Sequence, residues 1–255
     1  MGLKTYIINL EKSTVRKQYM QELLSKYGFL DIEFLKAIDG RLLSEEERRM
    51  RFDFEKSVQI YGKDINAGEV GCALSHRKAY SELLKSETQY ALVLEDDISI
   101  IRDLNSLDLA AIDKVLAVSE PRVLMLSGDY WFYKKKSIAR LFTATGAYAY
   151  IINRAAAKKI LDIEPPCCLA DDWTFYKRKG LKLYAVNPYL VDANMKMDLL
   201  SSDVMQDSWT IDRSRMSKKE VVVGYAVGLL KRLFKAFHHF ESKVRIIDNV
   251  IVDNE

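Results

Sequence analysis

Short apolar runs alternate with amphipathic stretches along most of this chain. Thr5-Tyr6-Ile7-Ile8-Asn9-Leu10 is rich in β-formers and reads as a buried strand. Ser13 or Thr14 caps a helix that continues to about Tyr27, where Gly28 closes it. A second strand over 32–38 is turned by Asp39-Gly40. Ser44-Glu45-Glu46-Glu47 has the form of a capping box and opens a charged helix. Asn66 begins another helix, over 68–85, whose apolar positions Val70, Ala73, Leu74, Tyr80 and Leu84 recur at helical spacing. Further strands are predicted at 90–94, 123–126, 148–152 and 183–186, with helices at 155–161 and 169–177.

Strands alternating with helices predict an α/β domain with a Rossmann-like, largely parallel sheet and flanking helices. Ligands of such sheets bind beyond the carboxyl ends of the strands. The end of the chain has another character. Over 226–247, Leu229, Leu230, Leu233, Phe234, Phe237, Phe240, Val244 and Ile247 form one apolar helical stripe, with Lys231, Arg232, Lys235, His238, His239, Lys243 and Arg245 on the other face. This predicts a basic amphipathic helix, lying on an anionic membrane surface or docked on protein. The expected organisation is therefore a catalytic-type domain over 1–215 and an amphipathic helical tail over 216–255.

Composition narrows the function classes. The 255 residues carry 39 basic and 36 acidic side chains, a net charge of +3, which argues against a dedicated nucleic-acid binder. Three cysteines, Cys72, Cys167 and Cys168, are expected to be free thiols in a reducing compartment, and no recurring Cys or His spacing predicts a zinc site. The N-terminal residues lack the pattern of a signal peptide, and no stretch reaches the roughly 18 apolar residues of a membrane span. A cytoplasmic protein is expected, with the tail helix offering peripheral contact at the inner membrane face.

Candidate chemistry concentrates at Glu95-Asp96-Asp97, directly after the strand Tyr-Ala-Leu-Val-Leu. Along a continuing strand Glu95 and Asp97 share a side, and their charges repel unless a cation or donors lie between them. Mg²⁺ or Mn²⁺ takes such oxygen ligands beside a diphosphate and neutralises charge on a leaving nucleotide. The same carboxylates also fit a polar turn capping the next helix. Asp171 and Asp172 open a helix, where the macrodipole favours acids; either is also a candidate general base for a sugar hydroxyl, with Trp173, Phe175 and Tyr176 close by. Arg16 is placed to reach a phosphate and Asp39 to hold a ribose or base. Ser75-His76 lacks the context of a hydrolase triad.

These residues resemble glycosyltransferase family 25, which includes bacterial lipooligosaccharide galactosyltransferases and collagen galactosyltransferases. The segments stand in the family's order: Ile8-Asn9-Leu10 with Arg16; Ala37-Ile38-Asp39-Gly40; Gly68-Glu69-Val70-Gly71-Cys72-Ala73-Leu74-Ser75-His76; Leu94-Glu95-Asp96-Asp97-Ile98; Gly146-Ala147-Tyr148-Ala149-Tyr150-Ile151-Ile152; Leu169-Ala170-Asp171-Asp172; Asn187-Pro188; and Ser201-Ser202-Asp203. Leu169-Ala170 stands where the family often has Pro-Val.

The resemblance implies a GT-A-like fold and inverting transfer from a UDP-hexose, most often UDP-galactose, usually with Mn²⁺. It implies a nucleotide site around Asn9, Leu10, Arg16, Ala37, Asp39, Ser75, His76, Glu95 and Asp96, with Asp97 on the metal and Glu95 a second metal candidate. Asp171 or Asp172 would be the base, and a glycolipid oligosaccharide the acceptor. A non-catalytic carbohydrate-binding relative and a metal-dependent nucleotide-sugar hydrolase are the alternatives.

Overall fold

The computed structural model describes residues 2–194, 211–241, 245–247 and 250–252. Ser201-Ser202-Asp203, and Val244 of the tail stripe, lie outside them.

The N-terminal half follows the predicted alternation. Strand β1 (Leu3–Asn9), helix α1 (Thr14–Leu24) and strand β2 (Leu30–Lys36) come first. Three helices follow: α2 (Glu45–Arg51), α3 (Phe54–Tyr61) and α4 (Ala67–Lys85). Full capping boxes open α2 at Ser44 and Glu47, and α4 at Asn66 and Glu69. Strand β3 (Tyr90–Glu95) leads through β4 (Ile98–Ile100) to α5 (Leu109–Leu116) and β5 (Arg122–Met125).

Next come β6 (Tyr130–Phe132), β7 (Ile138–Ala144), β8 (Ala149–Asn153), α6 (Arg154–Leu161), α7 (Trp173–Arg178), β9 (Lys182–Val186) and β10 (Val191–Ala193). After the undescribed stretch come α8 (Lys218–Ala236), β11 (Phe240–Glu241), β12 (Arg245–Ile247) and β13 (Val250–Val252).

Nine strands form the main sheet in the order β11-β6-β7-β9-β5-β8-β3-β1-β2. β1 pairs in parallel with β2 and β3, and β5 with β9. β8 is wedged antiparallel between β3 and β5. Following the pairings outward, β2, β1, β3, β5, β9 and β6 run one way, and β8, β7 and β11 the other.

Strands near the middle are buried on both faces, which is why they read as unbroken apolar runs. In β3, Ala91 and Val93 face a core with Tyr80, Leu83 and Ile160, supplied by α4 and α6. Leu92 and Leu94 face the opposite core with Met20, Leu24, Ile112 and Leu116, supplied by α1 and α5. The parallel register brings Asn9, Lys36 and Glu95 to one edge, as Asn9 lies beside Lys36 and Ile8 beside Glu95.

The tail differs from the predicted single helix over 226–247. Its helix begins earlier, at Lys218, with the Ser217 side chain accepting from the Glu220 N–H, and ends at Ala236. His238 then takes a left-handed conformation (φ 54°), and Phe240 pairs with Trp131 at the sheet edge. The α8 surface is also divided. Glu220 bonds Arg178, Phe234 packs on Tyr133 and Phe142, and Lys231 lies over Trp131. Val222, Tyr225, Leu229, Leu233 and Phe237 remain exposed. No helix among the described residues is long and apolar enough to cross a membrane.

Candidate functional site

At the carboxyl ends of β1, β2 and β3 lies an open cleft of about 360 Å³, within the range of small-ligand sites. Its walls include Leu10, Arg16, Ala37, Asp39, Ser75, His76, Glu95, Asp96, Asp97 and Asp171. Strands separated by long stretches of sequence thus deliver most of the predicted site residues to one place.

The acidic triplet does not continue as a strand. β3 ends at Glu95 and the chain bends through Asp96-Asp97, so all three carboxylates border the cleft instead of alternating sides. Asp96 is only 7 % exposed. The Asn9 amide donates to it at 2.6 Å and Arg16 at 2.9 Å. Burial nevertheless raises its pKa above the ordinary carboxylate value, against the pull of Arg16 and Asn9. Asn9 itself stands behind Asp96 and does not line the cleft. The same Arg16 nitrogen donates to Asp97 Oδ2 at 2.9 Å, so one guanidinium spans two carboxylates.

Glu95 is drawn the other way, its Oε1 lying 3.2 Å from His76 Nε2. The predicted metal pair is therefore held by two different partners, Glu95 by His76 and Asp97 by Arg16. Both carboxylates still open on the cleft. That oxygen donor set fits a hard cation whose remaining positions a diphosphate would fill.

The second wall is a loop pressed against α4. Ser75 Oγ donates to the Gly71 carbonyl at 2.7 Å and accepts from the Ile38 N–H at 2.8 Å, so Ser75 fastens the 37–41 turn. Asp39 is gripped by Arg41 at 2.7 and 2.8 Å and by Lys12 at 3.0 Å. The Arg41 hydrogen bonds, helped by Lys12, hold its carboxyl well below the usual range despite some burial. Arg41 and Glu69 also line this wall, with Glu69 ion-paired to Lys63 at 2.5 Å. Sequence reasoning named neither as a site residue; Glu69 stood in a quoted motif, and the structure shows that it also closes the capping box of α4.

Opposite lies Asp171, in the turn before α7. Burial raises its pKa, the Asp172 and Glu95 charges add to this, and the backbone amides of Gly146 and Asp171 oppose it. Asp172 has a different task. It caps α7, accepting from the Phe175 N–H at 2.9 Å and from the Tyr61 hydroxyl at 2.9 Å, and it does not line the cleft. The structure thus separates two neighbours that the sequence left as equal candidates.

Among the described residues, one group of three metal-ligating side chains comes together: Cys72, His76 and Glu95, with ligand atoms all within 4.8 Å of one another. No zinc-like spacing was expected from the sequence. Cys72 and His76 nonetheless stand four apart on α4, one turn above each other, and the third group arrives through the sheet.

Residues 3–175 match the family described as Glycosyltransferase family 25 (LPS biosynthesis protein). The chain is 26 % identical over 170 residues to "Glycosyltransferase 25 family member" of Aedes aegypti, covering 63 % of this chain and 28 % of the relative. It is 21 % identical over 224 residues to "Procollagen galactosyltransferase 2" of Homo sapiens, covering 73 % of this chain and 34 % of that one. The chain therefore spans about a third or less of the length of these two relatives. Among solved structures, a glycosyltransferase involved in glycosylation of the major capsid of PBCV-1 is similar at TM-score 0.40 and 11 % identity, covering 78 % of this chain and 98 % of that one. The fold is α/β, with six of the nine main-sheet strands running in one direction. Because the matched span runs from β1 into α7 and takes in every wall of the cleft, the chain belongs to glycosyltransferase family 25.

Proposed function

We propose that this glycosyltransferase transfers a hexose, galactose, from a UDP-sugar to a hydroxyl of a lipooligosaccharide or lipopolysaccharide acceptor, with inversion at the anomeric carbon. The observation that carries the reading is the meeting, in one cleft, of the acidic triplet and Asp171, whose pKa burial has raised towards that of an effective base. Galactose draws on the likeness to a procollagen galactosyltransferase, and the glycolipid acceptor on the family's description.

In this reading Glu95 and Asp96 would face the nucleotide ribose, and Asp97 would be the residue that holds a divalent cation. When bound, that cation supplies charge neutralisation at the departing diphosphate. Arg16 fixes the Asp96 and Asp97 carboxylates. Asp171 accepts the proton of the acceptor hydroxyl, whose oxygen attacks the anomeric carbon from the face opposite UDP. The bond to the diphosphate breaks, and its electron pair leaves with UDP. The exposed apolar side of α8, with Lys218, Lys219, Arg232 and Lys235 also exposed, would hold the enzyme at an anionic membrane face.

The test is UDP release from UDP-galactose with a panel of oligosaccharide acceptors and Mn²⁺. Acceptor-dependent release that Asp97→Ala abolishes is expected. Release captured only by water would favour a hydrolase, and full activity of Asp97→Ala would remove the metal assignment.

A further inference from the structure

We infer that the cleft carries a second cation site, distinct in chemistry from the one at Asp97, built from Cys72 Sγ, His76 Nε2 and the Glu95 carboxylate and suited to a thiophilic divalent ion such as Zn²⁺. Three observations converge on it.

The ligand atoms already lie within 4.8 Å of one another. A tetrahedral zinc ion, with bonds of about 2.3 Å to sulfur and about 2.0–2.2 Å to nitrogen and oxygen, draws such a trio inward by only a short side-chain movement. Two of the ligands come from one helix turn and one from the end of β3, so the scaffold beneath them is rigid.

His76 has the hydrogen-bond partner on its other ring nitrogen that a zinc-bound imidazole uses. Its Nδ1 lies 2.7 Å from the Tyr150 hydroxyl, which lies 2.7 Å from the Tyr80 hydroxyl. With an ion on Nε2, Nδ1–H donates to Tyr150 and Tyr150 donates to Tyr80. Without one, Nε2–H donates to Glu95 and the chain of hydroxyls runs in reverse. Both states leave the ring nitrogens satisfied in the same pose.

The trio also borders the open cleft, which leaves a fourth position for water or a ligand. Asp171 lines the same cleft and adds negative charge there, while Asp97 and Glu69 are ion-paired to Arg16 and Lys63. Zinc takes the thiolate form of cysteine, so its uptake releases the Cys72 proton to the buffer.

The thiolate separates this site from the hard-cation site: Mg²⁺ prefers all-oxygen ligands, whereas sulfur and imidazole select zinc and its neighbours. An ion here takes Glu95 and fills the cleft where the donor would lie. Zinc is therefore an inhibitor competitive with the nucleotide sugar; this consequence alone rests on the proposed function, and binding does not.

The experiment uses Co²⁺ as a spectroscopic probe of the full chain under reducing conditions. One equivalent is expected to give a thiolate-to-cobalt charge-transfer band and intense visible bands of a four-coordinate ion, lost on adding Zn²⁺ and retained with excess Mg²⁺. Cys72→Ser should remove the charge-transfer band. The double substitution Cys167→Ser and Cys168→Ser, if folded, should keep it. Tyr150→Phe should weaken Zn²⁺ binding by roughly 10–100-fold, the usual loss on removing an outer partner of a ligating histidine. A wild-type spectrum without a charge-transfer band, or a band that survives Cys72→Ser, overturns the site. If cobalt binds as expected but zinc leaves UDP release untouched, the donor-site reading fails and the cation site stands.

Discussion

Gly40 and Gly71 meet backbone to backbone: a Cβ on Gly71 would lie 2.6 Å from the Gly40 nitrogen and 2.5 Å from the Ile38 carbonyl oxygen. The reverse holds as well, since a Cβ on Gly40 would lie 2.8 Å from the Gly71 nitrogen. This contact lets the 37–41 turn lie flat on α4, where Ser75 fastens it and Asp39 and Arg41 face the cleft. Gly71→Ala is expected to destabilise the protein by about 1–3 kcal/mol, because backbone must move to admit the methyl group. It should also raise KM for the donor more than it lowers kcat. Urea denaturation and steady-state kinetics check both; an unchanged midpoint and KM would show that the turn yields freely.

Asp171 and Asp172 should separate cleanly under substitution. Asp171→Asn is expected to lower kcat by about 10²–10⁴-fold, the range for loss of a general base. Asp172→Ala should instead cost about 1–2 kcal/mol of stability through the lost cap, with smaller effects on turnover. The opposite pattern, a catalytic collapse in Asp172→Ala alone, would exchange their roles.

The pH dependence follows from burial. Asp171 must be ionised to act, and its pKa is raised, so the acidic limb of kcat/KM should fall above the ordinary carboxylate range. Asp172 is the largest neighbouring charge that raises it. Asp172→Asn therefore makes Asp171 easier to ionise and should move that limb to lower pH. The stability effect has the complementary sign. A carboxyl whose folded pKa is raised contributes stability below its unfolded pKa, about 3.8, and this is lost as pH rises through the folded value. Asp171→Asn should consequently be more stable than wild type at neutral pH, with the gain fading in acid. Thermal unfolding across pH measures it.

Arg16 spans Asp96 and Asp97 at 2.9 Å to each, where it offsets charge that a divalent ion would otherwise meet alone. Arg16→Gln should tighten binding of Mn²⁺ to the donor-free protein while weakening UDP binding. Calorimetry of each ligand separately reads the two directions, and weaker binding of both would make Arg16 a purely structural brace.

On α8, Leu229 and Leu233 are exposed by 60 % and 49 %, and the helix's one acidic residue, Glu220, is bonded to Arg178. Replacing both leucines by Glu should reduce sedimentation with anionic vesicles severalfold and leave transfer to a soluble acceptor intact. Gly224→Ala and Gly228→Ala, whose methyl groups meet nothing within 4 Å, should each stabilise the helix by about 0.4–1 kcal/mol. Equal vesicle binding by the double-Glu variant would assign that surface to protein contacts.

Local rules made much of the chain legible. Doubly buried strands read as apolar runs, Asn66 announced α4, and the triplet after β3 marked the end of the sheet where ligands gather. Linear pattern misplaced the tail, because the stripe that looked continuous is cut at His238, where the chain turns to pair with β6. Tertiary structure alone decided the rest. It closed Arg16 onto Asp97, set Glu95 against His76 beside Cys72, and turned Asp171 to the cleft and Asp172 to the Tyr61 hydroxyl. Such pairings join residues from separate elements, and their distances follow from strand register and helix packing, which spacing along the chain does not encode.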